Sequence, residues 1–190
     1  MNGKWFAVAI VLAGASAACG EGRLIFNVDV YSWLKTSAKD TIPYVAPPLT
    51  PSFSASNSAQ KIDLVPGLGS SAIDTVKVTF TADVINQSGG PGSLKFQVYL
   101  AADSAGTYTA GRDSMFSPAP SVTIPAGAST QSLPPFSVPN LSPSGNALFS
   151  NSAIWIRFAA TISNSSAAVM QGKAALTGLD LRVVVQDKFF

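Results

Sequence analysis

Histidine is absent from the chain, and with it the commonest general base and the commonest metal ligand. There is one cysteine, Cys19, so no disulfide can close within the chain and no thiolate zinc site can be assembled. Glu21 is the only glutamate, and charged residues make up 12% of the 190, about half the usual share of about 25%. Exposed helices are normally dressed with Glu, Lys and Arg. A surface left to Ser, Thr, Asn and Gly suits strands and turns instead. The basic residues stand singly, from Arg23 to Lys188, and the net charge is only +2. Nucleic acid is therefore not an expected partner, because phosphate neutralisation needs a basic stripe.

What is present begins with a greasy leader. Lys4 supplies a positive start, Trp5 to Ala15 an apolar stretch, and Ser16-Ala17-Ala18 a run of small residues before Cys19. This segment resembles a bacterial lipoprotein signal peptide, in which a small residue precedes the cysteine that becomes lipidated. Ser16 stands where that pattern usually has Leu. The resemblance covers about the first 20 residues and implies lipid on Cys19, anchoring through buried CH₂ groups. Two alternatives stay open: an uncleaved anchor helix and a plain signal peptide. Trp5 to Ala18 would span about 21 Å as a helix, against a bilayer core of roughly 30 Å, so length favours a cleaved leader. Each reading puts the remainder outside the cytoplasm, at a bacterial cell envelope with the domain on its periplasmic or extracellular side. Residues 1–19 are thus read as signal or anchor, and 20–190 as one domain, a size that supports one core.

In that domain, alternation of period two dominates. Leu24, Phe26, Val28 and Val30 share a face; so do Val76, Val78, Phe80, Ala82 and Val84, and again Leu94, Phe96, Val98 and Leu100. Gly89-Gly90-Pro91-Gly92 separates the last two runs and reads as the turn of a hairpin. Short strands are expected around 62–65, 122–124 and 136–138, and longer ones at 153–163 and 175–186. Residues 41–60 carry Pro43, Pro47, Pro48 and Pro51 and read as a proline-rich strap on the surface. Residues 102–120 and 139–152 read as loops. VKVTFTADVINQS at 76–88 aligns without gaps to IWIRFAATISNSS at 154–166, with Phe80/Phe158, Ala82/Ala160, Asn86/Asn164 and Ser88/Ser166 identical. Any two strands ending in polar turns look alike, yet the echo also fits two similar hairpins, one in each half of a sandwich. The expected fold is an all-β antiparallel sandwich with immunoglobulin-like topology, lacking the Cys–Trp–Cys signature of antibody domains.

No motif supplies ordinary catalysis. Asp29, Asp63, Asp74, Asp83, Asp180 and Asp187 fall mostly on outward strand positions. Asp103 and Asp113 flank a loop without a calcium-loop pattern, and read as turn formers. Ser32-Trp33-Leu34-Lys35 matches the S-x-x-K string of penicillin-binding enzymes, but the partner motifs are missing. The chain is read as non-catalytic, with no cofactor and no metal site. Trp155, on an outward strand position, is the leading surface anchor. Tyr108 and Phe116 in the long loop, and Phe189 and Phe190, are the other candidates for partner contact. The expected function is a structural or accessory subunit bracing a membrane protein assembly on its periplasmic side. A surface lipoprotein that binds glycan or a small ligand is the alternative.

Overall fold

A computed structural model describes residues 22–64, 72–109 and 119–187. The chain runs through β1 (Gly22–Asp29), a short helix α1 (Val30–Thr36), β2 (Thr41–Ala46), β3 (Thr50–Ser56), β4 (Gln60–Asp63), β5 (Ala72–Ser88) and β6 (Gly92–Ala101). After a 3-10 turn (Ala105–Tyr108) come β7 (Ser121–Ile124), β8 (Ser129–Val138), α2 (Pro143–Leu148), β9 (Ala153–Asn164) and β10 (Met170–Asp187). In the first sheet β1 and β2 lie end to end along one side of β10, and β5 and β8 follow on the other side. In the second, β3 and β4 share one side of β9, followed by β6 and β7. Every pairing is antiparallel, so the all-β sandwich is as expected.

The strand order is not immunoglobulin-like. If β1 with β2, and β3 with β4, are each counted as one broken strand, the sheets read 1-8-3-6 and 2-7-4-5. That is the order of an eight-stranded jelly roll, two interleaved Greek keys. An immunoglobulin sandwich would put its first two strands side by side in one sheet. The expected hairpin of 73–86 with 93–101 is likewise absent, because β5 belongs to the first sheet and β6 to the second. Alternation reports which side of a strand is buried. It is the same whether the turn folds back within a sheet or crosses to the facing one. Here the turn crosses, through Gly89 at φ +79°, Gly90 at φ +86° and a cis Gly90–Pro91 peptide. A Cβ on Gly89 would lie 2.3 Å from the carbonyl oxygen of Val169, so only glycine fits.

The first break in strand pattern is also local chemistry. The Asp29 carboxylate accepts a hydrogen bond from the backbone N–H of Ser32 at 3.0 Å, capping α1, and Val30 and Leu34 point one helical turn apart into the core. Val30 therefore ends up in a helix and not in β1. The expected loop at 139–152 holds α2, capped by Ser142 with proline in the first turn, and delivers Phe149 fully buried. The proline-rich segment 41–60 supplies β2, β3 and the start of β4. Pro43 and Pro51 lie on edge strands, where a missing N–H does least harm.

The inner faces meet on an aromatic cluster. Phe80 from one sheet sits 5.5 Å from Phe96 and 6.0 Å from Phe158 of the other, and Phe96 stacks on Phe158 at 5.7 Å. All three are buried, each contributing roughly 1.5–3 kcal/mol by leaving water. The sequence echo places its two asparagines at matching points. Asn86 faces Gly172 in the first sheet and Asn164 faces Gly92 in the second. Both are buried at 2% exposure. Asn86 Nδ2 donates to the carbonyls of Gly127 (2.8 Å) and Gly89 (3.3 Å), while its Oδ1 accepts from the Tyr44 hydroxyl (3.2 Å). Burial pushes the Tyr44 phenol up to about 12, so it remains a donor. Asn164 Nδ2 reaches the carbonyls of Ala46, Pro47 and Ala168, and its Oδ1 accepts from the Ser166 N–H and hydroxyl. Each asparagine thus ties neighbouring turns together.

Phe158→Ala should lower stability by about 3–5 kcal/mol, and Asn164→Ala by at least about 2 kcal/mol through orphaned carbonyls. Denaturant unfolding should show both as a lower midpoint with an unchanged slope. A loss below about 0.5 kcal/mol for either would be a surface-like value and would contradict the assignment.

Candidate functional site

Cys19, Phe116, Phe189 and Phe190 lie outside the described residues, as does Asp113. Trp155 and Tyr108 are described, and the fold brings them to one region of the outer face of the second sheet. Trp155 points outward from β9, between Lys61 of β4 and Ala101 of β6, and is partly covered. Two residues on, Arg157 shares its face and stands opposite Tyr99 of β6. Its guanidinium lies 4.2 Å from the Tyr99 ring and 4.5 Å from the Tyr108 ring, held between the two. Arg157 Nε donates to the carbonyl of Thr107 at 2.8 Å, and Nη2 donates to the same oxygen. Although charged, Arg157 is only 9% exposed. Two ring faces and a carbonyl take the place of a carboxylate.

This arrangement fixes the 3-10 turn onto the sheet. Asp103 Oδ1 accepts from Gly106 N–H at 2.7 Å within the same turn, the role expected of it. The Tyr108 hydroxyl accepts from the Ala59 N–H at 3.2 Å, and the ring is 53% exposed. An aromatic surface backed by a cation is thereby held rigid. Arg157 and Tyr99 were both readable as outward residues from alternation. What could not be read was the register that sets 99 against 157.

The carboxylates are mostly dispersed. Asp63 pairs with Lys61 at 2.7 Å. Asp29 and Asp180 alone among the described carboxylates face each other in register, on β1 and β10, and both lie on the outer face of the first sheet. Asp29 is occupied as the cap of α1. Burial first, and the neighbouring Asp29 charge second, hold the Asp180 carboxyl above its ordinary 3.8. Ser32 also donates its hydroxyl to Asp29, and Lys35 lies over the Tyr31 ring at 5.6 Å, so the S-x-x-K pair is turned to other partners. Among the described residues no three of His, Cys, Asp and Glu cluster, and no helix is long and apolar enough to cross a membrane.

The first sheet carries a second feature on its outer face, which no sequence pattern suggested. Arg23, Lys77 and Arg182, far apart along the chain, line one shallow groove of about 270 Å³.

No family model matches the chain, and no curated protein is similar to it. Solved structures give only distant likenesses. One is the structure of the infectious bursal disease virus Gx strain: TM-score 0.41, 11% identity, 88% of this chain and 33% of that one, so the chain spans about a third of its length. Others are PirA (TM-score 0.33, 11% identity, 78% of this chain and 94% of that one) and TmCBM61 in complex with β-1,4-galactotriose (0.29, 9%, 86% and 82%). Scores this low establish neither shared ancestry nor shared activity.

Replacing Arg157 with Gln removes two ring contacts and a pair of charge-assisted bonds to one carbonyl, and should cost about 2–4 kcal/mol. Amide exchange at 105–109 should accelerate more than in the sheets; unchanged exchange there would show that the turn does not depend on Arg157. For Asp180, a carboxyl that holds its proton more tightly folded than unfolded stabilises the fold while protonated. That contribution fades as pH rises above 3.8 through the folded value. Asp180→Asn should therefore raise the melting temperature at neutral pH and change it little in strong acid. The reverse pattern would refute the assigned direction.

Proposed function

We propose that the protein is a non-catalytic accessory subunit, tethered through its N-terminal segment to the outer side of a bacterial membrane, where its sandwich braces a protein partner. The observation that carries this reading is a line of exposed apolar side chains on one edge. Among the described residues, seven large hydrophobics are exposed: Leu24, Ile25, Trp33, Val45, Leu49, Tyr108 and Val169. All but Tyr108 belong to the β1–α1–β2 edge or its continuation. Val169 precedes Met170, which pairs with Ala46, and Leu49 N–H donates to the Ser166 carbonyl. Among the described residues β1 and β2 each have β10 as their one strand partner, so there their other sides offer backbone groups outside the ladder as well as apolar side chains. An edge of this kind invites strand addition or packing by another protein. The buried polar side chains Asn86, Asn164 and Arg157 are committed to loop carbonyls. Their hydrogen-bonding capacity serves the scaffold.

A second reading, binding of glycan or a small ligand, is favoured by one feature alone. The rigid, half-exposed Tyr108 ring lies on the same sheet face as Trp155 and suits stacking on a sugar. Retention on polysaccharide resin that is lost in Trp155→Ala would support it.

For the accessory reading, Val45→Lys combined with Val169→Lys should leave stability within about 0.5 kcal/mol, because both side chains are exposed. Copurification of a stable partner from detergent extracts should be lost in that variant. A wild-type protein recovered as a solitary monomer from its native membrane would overturn the proposal.

A further inference from the structure

The groove on the outer face of the first sheet unites three cations that the sequence scatters. Arg23 comes from β1, Lys77 from β5 and Arg182 from β10, and Ile25 and Val184 line the space beside them. Arg182 stands directly opposite Lys77 in the ladder. Like charges so placed oppose sheet pairing. None of the three makes an ion pair among the described residues, where the one such pair is Lys61 with Asp63. Among the described residues Asp74 is the one acidic side chain lining the groove, and it accepts a hydrogen bond from its neighbour Thr75. The fold therefore gathers three cations against one carboxylate, a site of net positive charge, in a chain with little charge to place.

Its position says what would neutralise it. Gly22, the first residue of β1, is three residues beyond Cys19 in the sequence. Fully extended, three residues reach at most about 11 Å. Arg23 follows at once, and Leu24 and Ile25 beside it are each 50% exposed. Gly22 pairs with Asp187, after which the chain continues with Lys188, Phe189 and Phe190. A lipid on Cys19 would bring this end of the sheet within about one Debye length of a bilayer surface.

We propose that the Arg23–Lys77–Arg182 groove is a docking site for an anionic phospholipid surface, with headgroup phosphates against the three cations and Ile25 at the acyl boundary. It rests on the reading of Cys19 as the anchor. Cations with apolar neighbours are the combination that settles at such an interface. Each basic residue near an anionic leaflet favours the bound orientation about fivefold, hence about a hundredfold for three. The tether sets proximity, and the groove sets which face lies down.

The test uses the intact protein on vesicles of phosphatidylcholine alone or with about one-third phosphatidylglycerol, a strongly anionic surface. Acylation of Lys77 by an amine-reactive ester is compared with that of Lys95, on the second sheet. The expected result is flotation with both vesicles and Lys77 labelled at least about fivefold more slowly on the anionic ones, with Lys95 unchanged and protection lost in high salt. Arg23→Gln with Arg182→Gln should restore Lys77 labelling. Flotation with both but equal labelling overturns the docking site and leaves the anchor standing. Salt-sensitive flotation on anionic vesicles alone supports docking and overturns the anchor, and flotation with neither overturns both. Equal protection of Lys77 by inorganic phosphate without vesicles would also overturn it, reducing the groove to a site for free anions.

Discussion

Two sheets can share one interior only if each alternating strand turns its apolar side to the other sheet. Phe80, Phe96 and Phe158 fix how closely they do so, their centroids 5.5–6.0 Å apart across the sandwich. Strand order, loop geometry and the outer faces are consequences of that contact. Once the inner faces are committed, polar residues of the same strands have only the outside or the sandwich ends to occupy. Asn86 and Asn164 take the ends, buried where strands give way to loops, and each works because its hydrogen bonds are met there.

The same constraint shapes the surface where function is proposed. β10, 18 residues long, spans roughly 60 Å at about 3.3 Å per residue. No single strand covers its open side. β1 and β2 divide it, with α1 between them, and this divided edge gathers six of the seven large hydrophobics exposed among the described residues. The end beside Gly22 lies near the N-terminal segment, and the end beside Ala46 carries Val45, Leu49 and Val169 nearby. The proposed tether at one end and the apolar patch at the other would suit the proposed place between a membrane and a partner. A jelly roll by itself implies none of this, since such sandwiches host many unrelated functions.

Much of the fold was legible in the residues. Alternation in 73–86, 93–101 and 153–163 gave strands whose inward residues are those found in the core. The last strand was readable only from 175 onward, because a bulge between Leu176 and Gly178 shifts the inward side from Ala174 and Leu176 to Leu179, Leu181 and Val183. Pairing was not legible. A period of two is blind to whether Gly89–Gly92 folds the chain back or passes it across, and the immunoglobulin-like expectation failed there. Short helices escaped too, since α1 depends on the Asp29 cap and two apolar residues four apart. Of the candidate contact residues, Tyr108 lies over Arg157, two residues from Trp155 on the same face, and only the register sets Tyr99 on the same arginine. The groove of Arg23, Lys77 and Arg182 is a product of register alone.

The proposed function requires a membrane tether a few residues before β1. Mass spectrometry of the N-terminus of the protein isolated from its own cells tests that directly. The predicted result is a first residue at Cys19 with a mass increment of lipid. An unmodified Cys19 within a chain that still begins at Met1, or cleavage elsewhere with no lipid, would contradict it.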